Sequence, residues 1–402
     1  MNDVVFSRAR RDRLHDVLQT HVDDGRVPGV VALVGRGGGE PQVEALGRFA
    51  FGSGAPMRRD TIFRLASMTK PITAVAAMIL VEACKLRLDD PVDRWLPELA
   101  GRRVLRAVDA RLDDTVPAER SITLRDLLTF RSGYGEVLFS APRAPIQAAL
   151  ADAGLPLVGW PFAGTPDAFM KRLGALPLAA QPGTRWLYHM SAEILGVLVA
   201  RVTGQSLGAF LRERVFLPLG MKDTDFSVPS SKIDRLPVCY VRSFSTGELT
   251  VRDPPDGFYA RPPAFEGGGG GLVSTADDLH AFGRTLAQGG KLGRERVLSR
   301  AAVEVMTRDH VPPEQKAVSP FFPGFWEGCG WGLGLGVLTR RLGVDRNEGS
   351  FGWDGAFGTS FWVDPKEDLV GVLLVQRAPD VLAFSNPVAS DFWTTVYQGL
   401  ED

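Results

Sequence analysis

The chain is poor in the side chains that most often bind metals or move protons. Of 46 basic residues only eight are lysines, and the five histidines are scattered at His15, His21, His189, His280 and His310. No metal-ligand spacing emerges from them, so neither a metal nor another cofactor is expected. Three cysteines, Cys84, Cys239 and Cys329, are far apart and lack any Cys-x-x-Cys pair, which excludes a disulfide framework or zinc cluster. They read as buried thiols in a reducing compartment. Charge of one sign is also missing, because 46 Lys+Arg against 47 Asp+Glu leave a net charge of −1 and no basic block. A nucleic-acid partner is excluded on that ground. The longest apolar run, Pro71 to Cys84, lies between Lys70 and Lys85 and falls short of the roughly 20 residues a membrane span needs. No apolar leader is visible in MNDVVFSRARRDRLHD, so a cytoplasmic protein with no membrane partner is expected.

What is present is ordinary globular material: 402 residues, 45% hydrophobic and 23% charged, enough for about two structural units. Helical spacing of Leu14, Val17, Leu18 and Val22 predicts a surface helix from about Phe6 to Asp24. A β-branched run at Gly29–Gly35 and a second around Val43–Phe51 predict an antiparallel pair. Helical patterns follow at Ile122–Phe130, Pro166–Leu173 and Ser191–Thr203, joined by loops at Ala141–Pro145 and Gly159–Gly164. Strand patterns return at Phe361–Asp364 and Leu369–Val375, and a helix at about Val388–Leu400 closes the chain. The implied architecture is α/β plus all-α, with an antiparallel α/β domain from residues 1–66 and 266–402 and a mostly helical domain, 67–265, inserted into it. Five successive glycines, Gly267–Gly271, suggest either close backbone passage at a cleft or a flexible loop.

Chemistry concentrates in Ser67-Met-Thr-Lys70, the sole Ser-x-x-Lys in the chain, at the mouth of the most apolar helix. Residues three apart share a helix face, so a partly desolvated Lys70 can reach the Ser67 hydroxyl and favour its alkoxide. Pro182-Gly-Thr-Arg-Trp-Leu-Tyr188 presents a tyrosine just before the Ser191 helix, where a cationic neighbour such as Lys70 would let it accept a proton. Gly349–Ser360, containing Trp353-Asp354-Gly355-Ala356, is a glycine-rich turn able to bring backbone N–H groups to an acyl oxygen. His189 adjoins Tyr188, and a passive role is favoured for it. Gly204-Gln-Ser206-Leu-Gly208 imitates a nucleophile elbow, but the segment before it is helical, so Ser206 is expected to cap the helix from Leu207 to Val215.

Taken in order, these segments resemble the serine β-lactamase and penicillin-binding-protein superfamily, in the branch of class C β-lactamases, DD-peptidases and family VIII carboxylesterases. Leu124–Gly133, Pro218-Leu-Gly-Met221, Asp223-Thr224 and Gly268–Ser274 also carry the resemblance, which covers nearly the whole chain. It implies that Ser67 is acylated, that Lys70 activates it, that Tyr188 is the general base, and that the backbone N–H groups of Ser67 and Ala356 form the oxyanion hole. Two departures steer the substrate. Lactamases and DD-peptidases usually carry Tyr-x-Asn and Lys-Thr-Gly, whereas this chain reads Tyr188-His-Met190 and Trp353-Asp354-Gly355. Met190 and Trp353 cannot orient an amide or carboxylate as Asn and Lys would. A small, neutral ester is therefore the expected partner, with Tyr134, Trp186, Phe351 and Phe357 as further pocket walls. The alternatives are a β-lactamase or D-amino peptidase, an acyltransferase of the same fold, and a non-catalytic ligand-binding domain. Self-association is compatible with the sequence.

Overall fold

The computed structural model describes residues 6–136, 144–155, 161–243, 246–378 and 386–400. Parts of the loops expected at 141–145 and 159–164 lie outside the described residues. Eight strands form one antiparallel sheet: β1 (Gly29–Arg36), β2 (Gln42–Ala50), β3 (Ser53–Pro56), β4 (Cys329–Trp331), β5 (Gly336–Leu338), β6 (Phe351–Asp354), β7 (Ser360–Asp364) and β8 (Leu369–Val375). Their order, β4-β5-β6-β7-β8-β1-β2-β3, brings the two ends of the chain side by side, with Val30 opposite Val375 and Arg36 opposite Leu369.

Alternation along β1 explains the layering, because successive side chains point to opposite faces of a strand. Val30, Ala32 and Val34 pack with Leu14, Leu18, Phe392 and Trp393 of the terminal helices α1 (Arg8–Asp23) and α5 (Pro387–Gly399). Val31 and Leu33 face the larger core, which contains α2 (Thr69–Glu82), α3 (Met190–Thr203) and α4 (Ala276–Ala287). β1 is consequently buried on both faces and reads as a continuous apolar run rather than an alternating one. Besides helices, the interval 67–265 carries two small hairpins, Arg103–Leu105 with Thr115–Pro117 and Cys239–Arg242 with Leu249–Asp253. The Ile122–Phe130 pattern forms a helix only at Leu124–Leu128, started by a Thr123–Asp126 capping box. The helix expected from Leu207 to Val215 is present, α-helical at Leu207–Leu211 and π-helical at Arg212–Phe216, and Ser206 caps it by accepting from the Ala209 N–H. Among the described residues no single helix is long and apolar enough to cross a membrane.

The short strand Phe63–Arg64 leads into Ser67 and is held by an internal cation. Arg64 is fully buried and donates to Asp253 Oδ2 at 2.7 Å, Pro237 O at 2.7 Å and Gln376 Oε1 at 3.1 Å. Buried charge at this depth persists only when paired and hydrogen-bonded in this way.

The expectation of three buried thiols needs correcting, since only Cys239 is fully buried. Cys84 has left the apolar run: α2 ends at Glu82, and Cys84 lies exposed with φ 55°. Cys329 is half-buried, and burial pushes its thiol up to about 11 and that of Cys239 up to about 12. Thiolates are the reactive form. A thiol-disulfide reagent should therefore titrate one cysteine rapidly in the native protein and all three after denaturation, with Cys84→Ser removing the rapid phase. Rapid reaction of all three native thiols would contradict the placement.

Candidate active site

Ser67 sits in a single 3-10 turn, Ala66–Met68, and Lys70 in the first turn of α2. Ala66 takes φ 48°, a left-handed conformation unfavourable to a side chain, so that the strand can turn sharply into the helix. Lys70 Nζ donates to Ser67 Oγ at 2.9 Å and to the Gly269 carbonyl at 2.6 Å, and it stands 3.1 Å from His189 Nδ1. Nζ also lies 4.7 Å from the centre of the Tyr188 ring. Lys70 is fully enclosed, and burial lowers its ammonium well below the usual lysine value, with Glu193 and then Glu136 acting in the opposite direction. A shift in this direction favours the neutral amine that a base at Ser67 requires.

Tyr188-His189-Met190 forms a γ-turn. His189 takes φ 78°, ψ −64°, and the Met190 N–H bonds the Tyr188 carbonyl at 3.1 Å. Such a backbone costs roughly 1–3 kcal/mol and is typically retained at functional sites. Here it turns consecutive side chains to two tasks. His189 reaches Lys70, while the Tyr188 hydroxyl accepts the Trp353 Nε1–H at 2.6 Å. One expectation is thereby revised: His189 is a direct partner of Lys70 rather than a passive neighbour. Burial pushes the Tyr188 phenol well above its usual value despite the opposing bonds to Ser67 and Trp353, which disfavours the anion.

The glycine run supplies the other side. Leu65 N–H bonds the Leu272 carbonyl, Leu272 N–H bonds Thr69 Oγ1, and Thr73 Oγ1 bonds the Gly268 carbonyl, so the loop is laced to α2. It is not a flexible tether. A Cβ on Gly268 would stand 2.6 Å from the Ala192 carbonyl, and one on Gly269 would stand 2.7 Å from Glu193 Oε1.

Two cavities meet Ser67. The larger, about 340 Å³, is lined by Tyr188, Phe321, Phe322, Phe325, Trp353, Asp354, Gly355, Ala356 and Arg346. A second, about 30 Å³, is bounded by His189, Glu193, Gly269 and Phe357. Trp353, Asp354, Gly355 and Ala356 thus share the larger cavity with Ser67, and Phe357 shares the smaller one. Asp354 faces the sheet as well, accepting from Ser360 Oγ at 2.6 Å and Trp362 Nε1 at 3.0 Å. Three proposed walls do not border either cavity. Tyr134 is buried with its hydroxyl on the Leu176 carbonyl, Phe351 is a core residue of β6, and Trp186 stacks behind Tyr188 at 5.6 Å between centroids. Each is apolar enough to be drawn into the core, one layer behind the surface it was expected to form. Sequence reasoning missed Glu193, Arg346 and the aromatic segment Phe321-Phe322 with Phe325. The density of rings in PFFPGFWEG, a segment broken by Pro and Gly, was the available signal.

With this geometry in view, comparison with known proteins places the chain in a family. Residues 14–389 match the family described as Beta-lactamase, and the chain belongs to it. Protein Rv1367c of Mycobacterium tuberculosis is 40% identical over 368 residues, covering 89% of this chain and 88% of that one. Esterase EstB of Burkholderia gladioli is 31% identical over 98% of this chain and 94% of its own. Among solved structures, EstCE1, "a hydrolase with promiscuous acyltransferase activity", superposes with a TM-score of 0.77 at 27% identity, covering 97% of this chain and 99% of that one. The protein is a serine hydrolase of the β-lactamase fold, on the side of the superfamily that contains esterases.

The packing of the glycine run can be tested on stability alone. Gly268→Ala is expected to cost about 1–3 kcal/mol in urea unfolding, because a backbone carbonyl cannot yield to the new methyl. Gly38→Ala, with nothing within 4 Å of its Cβ, is expected to be neutral. Equal stability of both variants would refute the close approach.

Proposed function

We propose that the protein hydrolyses short-chain carboxylic esters through an acyl-enzyme on Ser67. The observation that carries this reading is the Ser67–Lys70 hydrogen bond at the floor of an aromatic cavity, with the Tyr188–Trp353 pair on its wall. Ser67 Oγ attacks the ester carbonyl while the Lys70 amine takes its proton, and backbone N–H groups of Ser67 and Ala356 receive the developing oxyanion. Tyr188, as a neutral phenol, hands a proton to the departing alkoxide and is resupplied from Lys70. A water then repeats the sequence in reverse, releasing the acid and freeing Ser67.

Esters are favoured over lactams by what stands around the carbonyl. The Trp353 N–H is spent on Tyr188 and offers no charge to a substrate carboxylate. The cation that the cavity does contain, Arg346, lies over the Trp362 ring at 4.6 Å and is bonded to Asp345 at 3.2 Å. A neutral acyl or alcohol group is therefore the better complement to these walls. Acyl transfer to an alcohol is the second reading, supported by the apolar lining and by the acyltransferase activity stated for EstCE1. An intracellular setting remains part of the proposal.

With p-nitrophenyl butyrate, Ser67→Ala is expected to lower kcat/KM by at least about 10³-fold and to abolish fluorophosphonate labelling. Ser206→Ala should leave both intact, and nitrocefin should turn over more slowly than the ester. Retained turnover and labelling in Ser67→Ala would sink the assignment. Because Lys70 must lose its proton to act, kcat/KM should rise with pH through a midpoint well below the usual lysine range, between about pH 5 and 9. A flat profile there would contradict Lys70 as base.

A further inference from the structure

Burial of Lys70 creates an electrostatic problem that Ser67, Lys70 and Tyr188 do not solve by themselves. When the amine takes the Ser67 proton it becomes an ammonium with three N–H groups, each needing an acceptor away from water. Among the described residues three atoms stand within hydrogen-bond distance of Nζ: Ser67 Oγ, the Gly269 carbonyl and His189 Nδ1. The count closes only if Nδ1 is unprotonated, which places the imidazole hydrogen on Nε2. That atom faces Glu193 Oε1 at 3.4 Å, one helical turn along α3.

Glu193 is otherwise hard to account for. It is buried, neither its Oε2 nor His189 Nε2 has a well-aligned partner, and burial pushes its carboxyl up while Lys70 and the Gly269 and Gly268 N–H groups hold it down. An acid in such a place costs stability unless a charge balances it. Gly267 and Gly269 press against it, leaving 3.1 Å and 2.7 Å between a would-be Cβ and its oxygens. The strained γ-turn at His189 brings the imidazole between this carboxyl and Lys70. Strain, a buried carboxyl oxygen without a well-aligned partner and two closely packed glycines converge on one line of groups leading to Nζ.

We infer that His189 and Glu193 are positioning residues for Lys70: His189 accepts the third N–H of its ammonium, and Glu193 supplies across the imidazole the negative charge that stabilises it. The inference rests on Lys70 being the base at Ser67. In the step concerned, the Ser67 O–H bond breaks and an Nζ–H bond forms, while Oγ bonds to the carbonyl carbon and the electron pair moves to the carbonyl oxygen. Glu193 and His189 exchange no atoms in that step. They hold the charge that it deposits on Lys70. The titratable and charged groups facing Lys70 are Tyr188, His189 and Glu193 from α3 and its entry turn, and Glu136 from the segment after Leu124–Leu128. The glycine run contributes a carbonyl, and Asp354 on β6 acts on Tyr188.

The sign of the effect is fixed by the charge removed. Glu193 raises the basicity of Lys70, so Glu193→Gln leaves an amine that loses its proton at lower pH and is a weaker base. The acid limb of the fluorophosphonate labelling rate should move down by about one pH unit or more, with a lower plateau. An unmoved limb would overturn the role of Glu193, whatever the rate, because a merely structural defect lowers the plateau without shifting the limb. A wild-type profile without any limb between about pH 5 and 9 would instead overturn Lys70 as base, and this inference with it. His189→Asn keeps an acceptor oxygen, whereas His189→Leu does not. The Asn variant should label at least about tenfold faster than the Leu variant, and equal rates would overturn the role of His189. If Glu193→Gln fails to fold, as thermal melting would show, the His189 pair carries the test.

Discussion

One lysine ammonium sealed from water beside a serine hydroxyl constrains everything around it. Nζ must keep acceptors within reach in both protonation states, and the protein must tolerate the cost of burying it. Packing α2 against the larger core provides the burial, since Thr69 to Leu80 are enclosed almost without interruption. The acceptors come from three separate parts of the chain: the 3-10 turn at Ser67, the glycine run, and the turn before α3. The sheet closes this arrangement by placing β6, with Trp353, against Tyr188.

Local strain and glycine usage follow from the same constraint. Ala66 and His189 adopt positive φ at the two turns that aim Ser67 and His189 inward. Crowding rather than left-handed backbone favours glycine at 268, 269 and 271. None of the five glycines has a positive φ, yet side chains at these three positions would meet Ala192, Glu193 or Phe226, whereas Gly270 has ordinary room. Their contribution to the site is a carbonyl that can approach Nζ to 2.6 Å.

Much of the fold was legible because it depends on periodicity that survives in any context. The β1 run, the terminal helices and the β7–β8 pair stand within a residue or two of their expected limits. Ser67 and Lys70 were legible because their spacing is local. The pairing of Tyr188 with Trp353 was not, since 165 residues separate them and no spacing rule spans that distance. His189 was misjudged for a related reason: a neighbour in sequence ordinarily points the other way, and only the γ-turn redirects it. Tyr134, Phe351 and Trp186 show the limit of reading pocket walls from aromatic content, because the same rings serve core packing equally well. Glu193 gave no signal at all, lying in a helix whose other residues are mostly apolar.

Catalysis through Ser67 requires the acyl group to be held on that serine. Mixing the protein with p-nitrophenyl butyrate, quenching with acid in the pre-steady state and mapping the modified peptide by mass spectrometry tests this directly. A butyryl group on the peptide containing Ser67, absent when Lys70 is replaced by alanine, is the predicted result. Turnover with no butyrylated peptide, or with the group on another serine, would contradict it.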